Sequence, residues 1–460
     1  MPSKPETRWI VTAGLCLTAC ATVDPSADYA AAAAEIRSAT GVAEVHQPGH
    51  EAAGEARVRD LCAEGLTLHE AVEVALLHNP GLQAAFHEVG IARADRVQAG
   101  LLTNPSLTAL LKFPVDGGAT NIEGGLFASL ADLWQVGGRV RGAEAVLTQR
   151  ILELAHGAVQ LAGMVRGAYL DAQAAERLLA IAEDNRATAD RMVELVEARV
   201  EARAATILDA NLARLEQSRT EVLARDAGLA ADQARRRLAG LLGYDALPEG
   251  VALTSPLPEA MVALPDEGRL AGLALEHRLD VRAAGEAMQA AVAEWERQSG
   301  LVFKRVDVGI VGERNSDWAV GPGIELELPL FDQNQAQVAK AGERVAQREK
   351  TLTAIRLQAR QDVGATLARA RAGQDAARLF AESILTRAAE TLELAREAYR
   401  LGRTTIVPVL EAQRSVLEAR RAHVVRLRDA ARALSELEQA VGLPRERLFT
   451  SGADAPEKKE

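Results

Sequence analysis

His46 and His50 stand four residues apart, a spacing that on a helix would set two imidazoles side by side for a metal ion. No third ligand is near and no helical pattern surrounds them, so both read as surface histidines. Five methionines are scattered rather than clustered, which argues against a soft copper relay. Gly321-Pro322-Gly323 lies inside a strand-like run, whereas a phosphate loop needs a helix directly after it. There is no Walker A sequence, no Gly-x-Ser-x-Gly and no His-Glu-x-x-His. The residues able to do chemistry therefore assemble no catalytic constellation, and neither an enzyme nor a cofactor or metal site is expected. Of three cysteines, Cys62 alone lies in the body of the chain and reads as a small apolar residue, with no partner for a disulfide.

The one cysteine with a chemical role in view is Cys20. Lys4 and Arg8 open a short basic region, and an apolar stretch too short to span a bilayer follows. It ends in Leu17-Thr18-Ala19-Cys20, which resembles a bacterial lipobox. Cleavage before Cys20 would leave an acylated N-terminus, and each buried CH₂ would add about 0.8 kcal/mol of membrane affinity. Ala21 follows, not the acidic residue that retains lipoproteins in the inner membrane, so outer-membrane lipid is the expected partner of this end.

The elements that must position everything else are unusual. Aromatic residues are only 3% of 460, too few for a large compact core, while Ala, Leu, Arg and Glu dominate as in long helices. The net charge of −11 argues against a nucleic-acid partner. Beyond the N-terminal stretch no apolar run reaches the roughly 18 residues of a spanning helix. The body is written twice. Ala75-Leu76-Leu77-His78-Asn79 reappears as Ala274-Leu275-Glu276-His277-Arg278, and Leu241-Leu242-Gly243 as Ala440-Val441-Gly442. Related in this way, His78 and His277 are expected to be structural. The expected division is a signal peptide over 1–19, a lipidated linker over 20–64, a first repeat over 65–246, a proline-bearing linker over 247–266, a second repeat over 267–443 and a polar tail over 444–460.

Each repeat carries two short alternating runs. Leu107, Ala109, Leu111 and Phe113 share one face; so do Ile122, Leu126, Ala128 and Leu130, opposite Glu123, Phe127 and Ser129. In the second copy Val306, Val308 and Ile310 oppose Arg305, Asp307 and Gly309, and Ile324, Leu326, Leu328 and Leu330 oppose Gly323, Glu325 and Glu327. Period two with one apolar face fits a sheet wetted on one side or a membrane barrel strand. Four strands cannot close a membrane barrel, and open edges in hydrocarbon cost several kcal/mol per unpaired group, so membrane strands here would have to be shared among subunits. A proline-free helix is expected over 335–400, roughly 100 Å long. Its stripe runs Val338, Val345, Leu352, Ala359, then shifts by four to Val363, Ala370, Ala377 and Ile384, as in a locally unwound coiled coil. The equivalent helix of the first copy covers 138–200. Gly402 then suits a left-handed helix end, and Thr404 or Thr405 can cap the next helix.

These stretches together resemble the TolC-like outer-membrane efflux family over about residues 66–443. The matching segments are Leu66-Thr67-Leu68-His69-Glu70-Ala71 with Asn79-Pro80, Asn104-Pro105-Ser106-Leu107, Leu328-Pro329-Leu330-Phe331-Asp332, and Tyr399-Arg400-Leu401-Gly402-Arg403-Thr404-Thr405. The resemblance implies a mainly α fold with a small β part: a homotrimer whose twelve shared strands form an outer-membrane barrel and whose long helices form a periplasmic α-barrel. It implies an exit duct for efflux, working with a periplasmic adaptor and an inner-membrane RND-type transporter. The run Pro329 to Gln335 looks most like the heavy-metal branch. In the family a tip aperture follows the second-copy turn as two acids three apart. Here Glu411 stands at the second position and Pro408 at the first, so a single acidic ring is implied, with Asp209 of the first copy the next candidate. Tyr399, Gly402, Arg403 and Thr404 would form the tip that docks the adaptor. In the first copy Ala202 sits where the family often has glycine. The alternative function is a periplasmic coiled-coil adaptor, against which the two hairpins and the whole-chain repeat argue.

Overall fold

The computed structural model describes residues 22–113, 115, 117, 120–258, 262–314 and 317–449; Cys20 and the signal-like segment lie outside them. The repeat is explicit in the element order. The first copy runs α3 (Leu68–His78), α4 (Pro80–Gly100), β1 (Ser106–Lys112), β2 (Asn121–Ser129), α5 (Asp132–Glu201) and α6 (Ile207–Leu242), preceded by α1 (Ser26–Thr40) and α2 (Glu51–Ala63). The second runs α7 (Glu267–His277), α8 (Leu279–Ser299), β3 (Val306–Arg314), β4 (Trp318–Leu326), α9 (Gln335–Leu379), α10 (Leu385–Arg400) and α11 (Val407–Val441), with a last turn α12 (Arg445–Phe449).

The sequence motifs prove to be helix starts and joints. Thr67 and Glu70 form a capping box at α3, the Thr67 Oγ1 accepting from Glu70 N at 3.2 Å and Glu70 Oε2 from Thr67 N at 2.8 Å. Asn79 caps α4 with Pro80 at its first position, where a missing N–H costs nothing. The Asn79 amide also donates to the carbonyl of Leu241 at 2.9 Å, at the end of α6. Its counterpart Arg278 donates to the carbonyl of Ala440 at 3.3 Å, at the end of α11. One joint thus recurs in both copies: the returning helix ends in a left-handed glycine, Gly243 or Gly442, against the junction of the two short helices. His78 belongs to this joint, stacked on Tyr244 with ring centres 4.4 Å apart and its Nδ1 bonded to the Leu242 carbonyl.

Three expectations are corrected toward the ends. Residues 20–64 are not merely a linker where described, because α1 and α2 fold there. The alanine run of α1 has the highest intrinsic helix propensity and buries Ala32, Ala33 and Ile36 in the main core. His46 is buried there too, edge-on to Phe86, and is not a surface residue. The polar tail likewise starts late, since α12 buries Leu448. The inter-repeat segment is docked rather than loose: the Tyr169 hydroxyl donates to the Leu66 carbonyl at 2.8 Å and accepts from Ser255 N at 2.9 Å.

The long helices carry most of the length. α5 has 70 residues, about 105 Å at 1.5 Å per residue. The helix expected over 335–400 runs through as α9 and α10, joined by a π turn at Phe380–Ile384. Its buried stripe explains why. Val363, Ala370 and Ala377 step by sevens, and Leu392 and Tyr399 continue by seven from Leu385 rather than from Ile384. A π turn inserts one residue, which restores the stripe to the seam.

Candidate channel wall and helical tip

The four strands form one antiparallel sheet in the order β1-β2-β3-β4, with both outer edges open among the described residues. The register places Leu111 beside Ile122, Leu126 beside Ile310 and Ile310 beside Pro322. One face therefore gathers Leu107, Leu111, Leu126, Val308, Ile310, Val320, Ile324 and Leu326, all exposed in the single chain, with Leu107 at 79% and Val320 at 72%. Trp318 joins them at the hairpin end, with the Arg314 guanidinium 5.8 Å from its ring centre. The opposite face carries Lys112, Asn121, Glu123, Asp307, Glu313 and Glu325. Its polar groups pair, across strands as Lys112 with Glu123, Arg305 with Glu325 at 3.3 Å and the Asn121 amide with Glu313 at 3.1 Å, and along one strand as Arg305 with Asp307 at 2.5 Å. The four alternations expected from sequence hold in phase. The fourth strand is shifted, however: it begins at Trp318 and ends at Leu326, so Leu328 and Leu330 lie beyond it. The chain turns at Pro329, which has no N–H to extend the ladder, and Leu330 N closes a tight turn onto the Leu328 carbonyl at 2.8 Å.

Phe127 is the one aromatic on the polar face. It sits opposite Gly309, itself opposite Gly323. A Cβ on Gly125, Gly309 or Gly323 would come within 2.7, 2.8 and 3.2 Å of its ring, so the glycines recess the ring against the wall.

At the far end of the long helices the two turns lie together. Val196, Ala210, Ala213, Tyr399, Ile406, Val409 and Leu410 form one buried cluster there. Gly402 is left-handed (φ 67°), and Arg403 N closes onto the Ala398 carbonyl at 2.9 Å, the expected helix stop. The cap differs from expectation. Neither Thr404 nor Thr405 caps α11; buried Ile406 takes that position with no side-chain bond, because the tip core claims it. In the first copy the left-handed residue is Arg203 (φ 56°), one position past Ala202, with Ala204 N bonded to the Arg199 carbonyl at 2.7 Å. A Cβ in that region costs about 1 kcal/mol, so Arg203→Gly should raise stability by about that amount in a denaturant titration. No change would mean that the turn relaxes without strain.

The site residues named from sequence separate here. Glu411 is exposed, on the side of α11 away from the tip core. Pro408 occupies the first turn of α11. The Asp209 carboxylate is engaged in a capping box with Thr206, accepting from its backbone N at 2.9 Å and its hydroxyl at 2.8 Å. Gly402 and Arg403 are exposed and Thr404 half-buried, whereas Tyr399 is 6% exposed under the Arg199 guanidinium, 4.6 Å from its ring centre. Tyr399 is thus part of the tip's interior and not of its surface. Burial pushes its phenol up, and the Arg199 charge only partly offsets this.

Sequence reading missed the seam between the hairpins. α11 is tied to α5 and α6 by Arg414 with Glu216 at 2.5 Å, Arg420 with Asp184 at 3.4 Å, Arg432 with Asp171 at 2.9 Å and Glu438 with Arg166 at 3.1 Å. Burial raises the Glu438 carboxyl, with Arg166 pulling it back. The exposed rungs are each worth about 0–1 kcal/mol; the buried acids Glu216 and Glu438 fix register more firmly. The only local signal was a buried-face acid in each helix, which does not name its partner.

No described helix is long and apolar enough to cross a membrane, and no metal-holding cluster occurs among the described residues. An exposed apolar sheet face with open edges, continued by helices of about 100 Å, defines a membrane duct protein. The chain belongs to the outer membrane efflux protein family, whose sequence model matches residues 71–244 and 270–443. It is an efflux channel of the outer membrane, with a periplasmic part. It is 25% identical to the cobalt-zinc-cadmium resistance protein CzcC of Cupriavidus metallidurans over 396 residues, 82% of this chain and 90% of that one. It is 29% identical to protein CyaE of Bordetella pertussis over 395 residues, 79% and 81% of the two chains. Its fold matches the outer-membrane channel OprN with a TM-score of 0.69 at 22% identity, covering 88% of this chain and 95% of that one.

Proposed function

We propose that three copies join their sheets edge to edge into a twelve-stranded barrel, with the long helices forming the duct beneath it. The observation that carries this is the sheet itself: one face apolar and exposed, the other charged, and edges that hydrocarbon does not tolerate open. Crosslinking in mild detergent should give a heat-labile species of three chains; a monomer would overturn the reading. The duct is the exit stage of a tripartite pump, fed by an inner-membrane RND-type transporter through a periplasmic adaptor that meets Gly402, Arg403 and Thr404. Divalent transition-metal ions are the favoured cargo, on the name of the cobalt-zinc-cadmium relative. A deletion strain should become sensitive to cobalt, zinc or cadmium, and unchanged growth on all three would sink that cargo.

Glu411 lines the tip aperture, where three copies would make one acidic ring that favours cations. Glu411→Ala should lower cation selectivity in bilayer recordings; unchanged selectivity would place the constriction elsewhere. Asp209 is the weaker candidate, because its carboxylate already serves the Thr206 cap. Cys20 is the acylated N-terminus of the mature protein, on the lipobox-like Leu17 to Cys20. Cys20→Ala should abolish palmitate incorporation, and continued labelling would refute the anchor.

A further inference from the structure

Behind the tip turns, between α5 and the α10–α11 pair, lies a cavity of about 670 Å³, within the range of small-molecule sites. Met192 and Leu392 contribute apolar wall. Two lining side chains are more than nine-tenths buried and carry a polar atom without a partner among the described residues: the Tyr399 hydroxyl, on a residue 6% exposed, and Gln413 Oε1, on one 7% exposed. Arg199, also on the wall, leaves its Nε unpartnered. Buried polar groups are otherwise nearly always satisfied, so three unpartnered atoms on residues that line one mixed polar and apolar cavity describe a recognition pattern.

The charge balance selects the ligand. The acids on the rim, Asp184 and Glu393, are taken by Arg420 at 3.4 Å and Arg396 at 3.1 Å. Arg191 and Arg199 form no ion pair with a described residue, and the Arg199 plane covers the Tyr399 ring at 4.6 Å. Arg191 donates to the Thr188 hydroxyl at 3.2 Å and Arg199 to the Ala204 carbonyl at 3.4 Å, so the cavity offers two guanidinium groups not neutralised by an acid, one phenolic donor and one amide acceptor beside an apolar wall. We propose that it binds a small hydroxylated aromatic carboxylate. The carboxylate accepts from Arg199 and the Tyr399 hydroxyl, the ring lies against Met192 and Leu392, and the ligand hydroxyl donates to Gln413 Oε1. Such an occupant bridges the two hairpins just above the turns, so its binding couples to how firmly the tip is held.

The test uses the full-length protein in detergent micelles and the fluorescent probe 6-hydroxy-2-naphthoate, with empty micelles as the partition control. Saturable binding of one probe per chain is expected. Tyr399→Phe and Arg199→Gln should each weaken it on the order of tenfold, the loss of one charge-assisted hydrogen bond. Gln413→Leu should weaken the hydroxylated probe while leaving 2-naphthoate unchanged. Tyr399→Phe keeps the ring that packs under Arg199, so its melting temperature should match the parent's and a lost fold cannot mimic lost binding. Binding no greater than to empty micelles, or equal affinity in all variants, overturns the site. Because the cavity lies within one protomer, that result would leave the trimeric duct standing if three-chain crosslinking persists.

Discussion

Ile310→Arg should remove most of the folded, heat-labile protein from outer-membrane preparations, while Val311→Arg should leave it largely intact. The two residues are neighbours at the centre of β3, so they share one depth and differ only in face. Ile310 stands 61% exposed on the apolar face, between Leu126 and Pro322. Val311 belongs to the face that carries Asp307, Glu313 and Glu325. An arginine near mid-bilayer on the lipid side costs about 2–4 kcal/mol per strand, whereas a wet lumen solvates it. In the proposed barrel of three copies the cost would recur three times, which exceeds most of a marginal folding free energy. Equal losses in the two variants would mean that both faces see the same medium, and the sheet would not be a barrel wall.

Much of this was legible because the signals are local and repeated. The alternation of four short runs was readable in phase, since a one-residue slip would have moved every apolar side chain to the charged face. The matched pairs Asn79/Arg278 and Gly243/Gly442 were readable as a repeat, and the joint explains why those positions match: each copy must close its long hairpin on its own short helices. The misreadings have physical causes. Alanine carries little amphipathic contrast, so α1 looked like linker although Ala32 and Ala33 are fully buried. At the tip, hydrophobic burial outbid local capping, and Ile406 took the place expected for a threonine. Tyr399 looked like surface because it borders the turn, but the one-residue insertion at Phe380–Ile384 turns it into the seam. The ion pairs of α11 join residues more than a hundred positions apart, and no spacing rule in one sequence reaches that far.

The second-copy joint gives the other large expected effect. Arg278 is largely buried and donates to Asp280 at 2.8 Å, to Asp362 at 2.9 Å and to the Ala440 carbonyl at 3.3 Å. It holds together the start of α8, the middle of α9 and the end of α11. Burial pushes the Asp280 carboxyl up, but hydrogen bonds and charge from Arg278 overcome this and hold it below the usual carboxylate range. Arg278→Ala would leave that carboxylate half-buried without its cation, at a cost of about 3 kcal/mol in chemical denaturation near neutral pH. The pH dependence has a definite sign. A depressed native pKa contributes stability that is present above the unfolded value and lost as pH falls through the native one. The difference between parent and variant should therefore be widest near neutrality and shrink in acid, as protonation removes the charge the variant cannot neutralise. Asp280→Asn placed on Arg278→Ala should recover part of the loss, whereas in the first copy, where Asn79 makes the joint without charge, Asn79→Ala should show no such pH dependence. A gap of constant size from neutral to acidic pH would assign the arginine's contribution to the Ala440 carbonyl and not to the carboxylates.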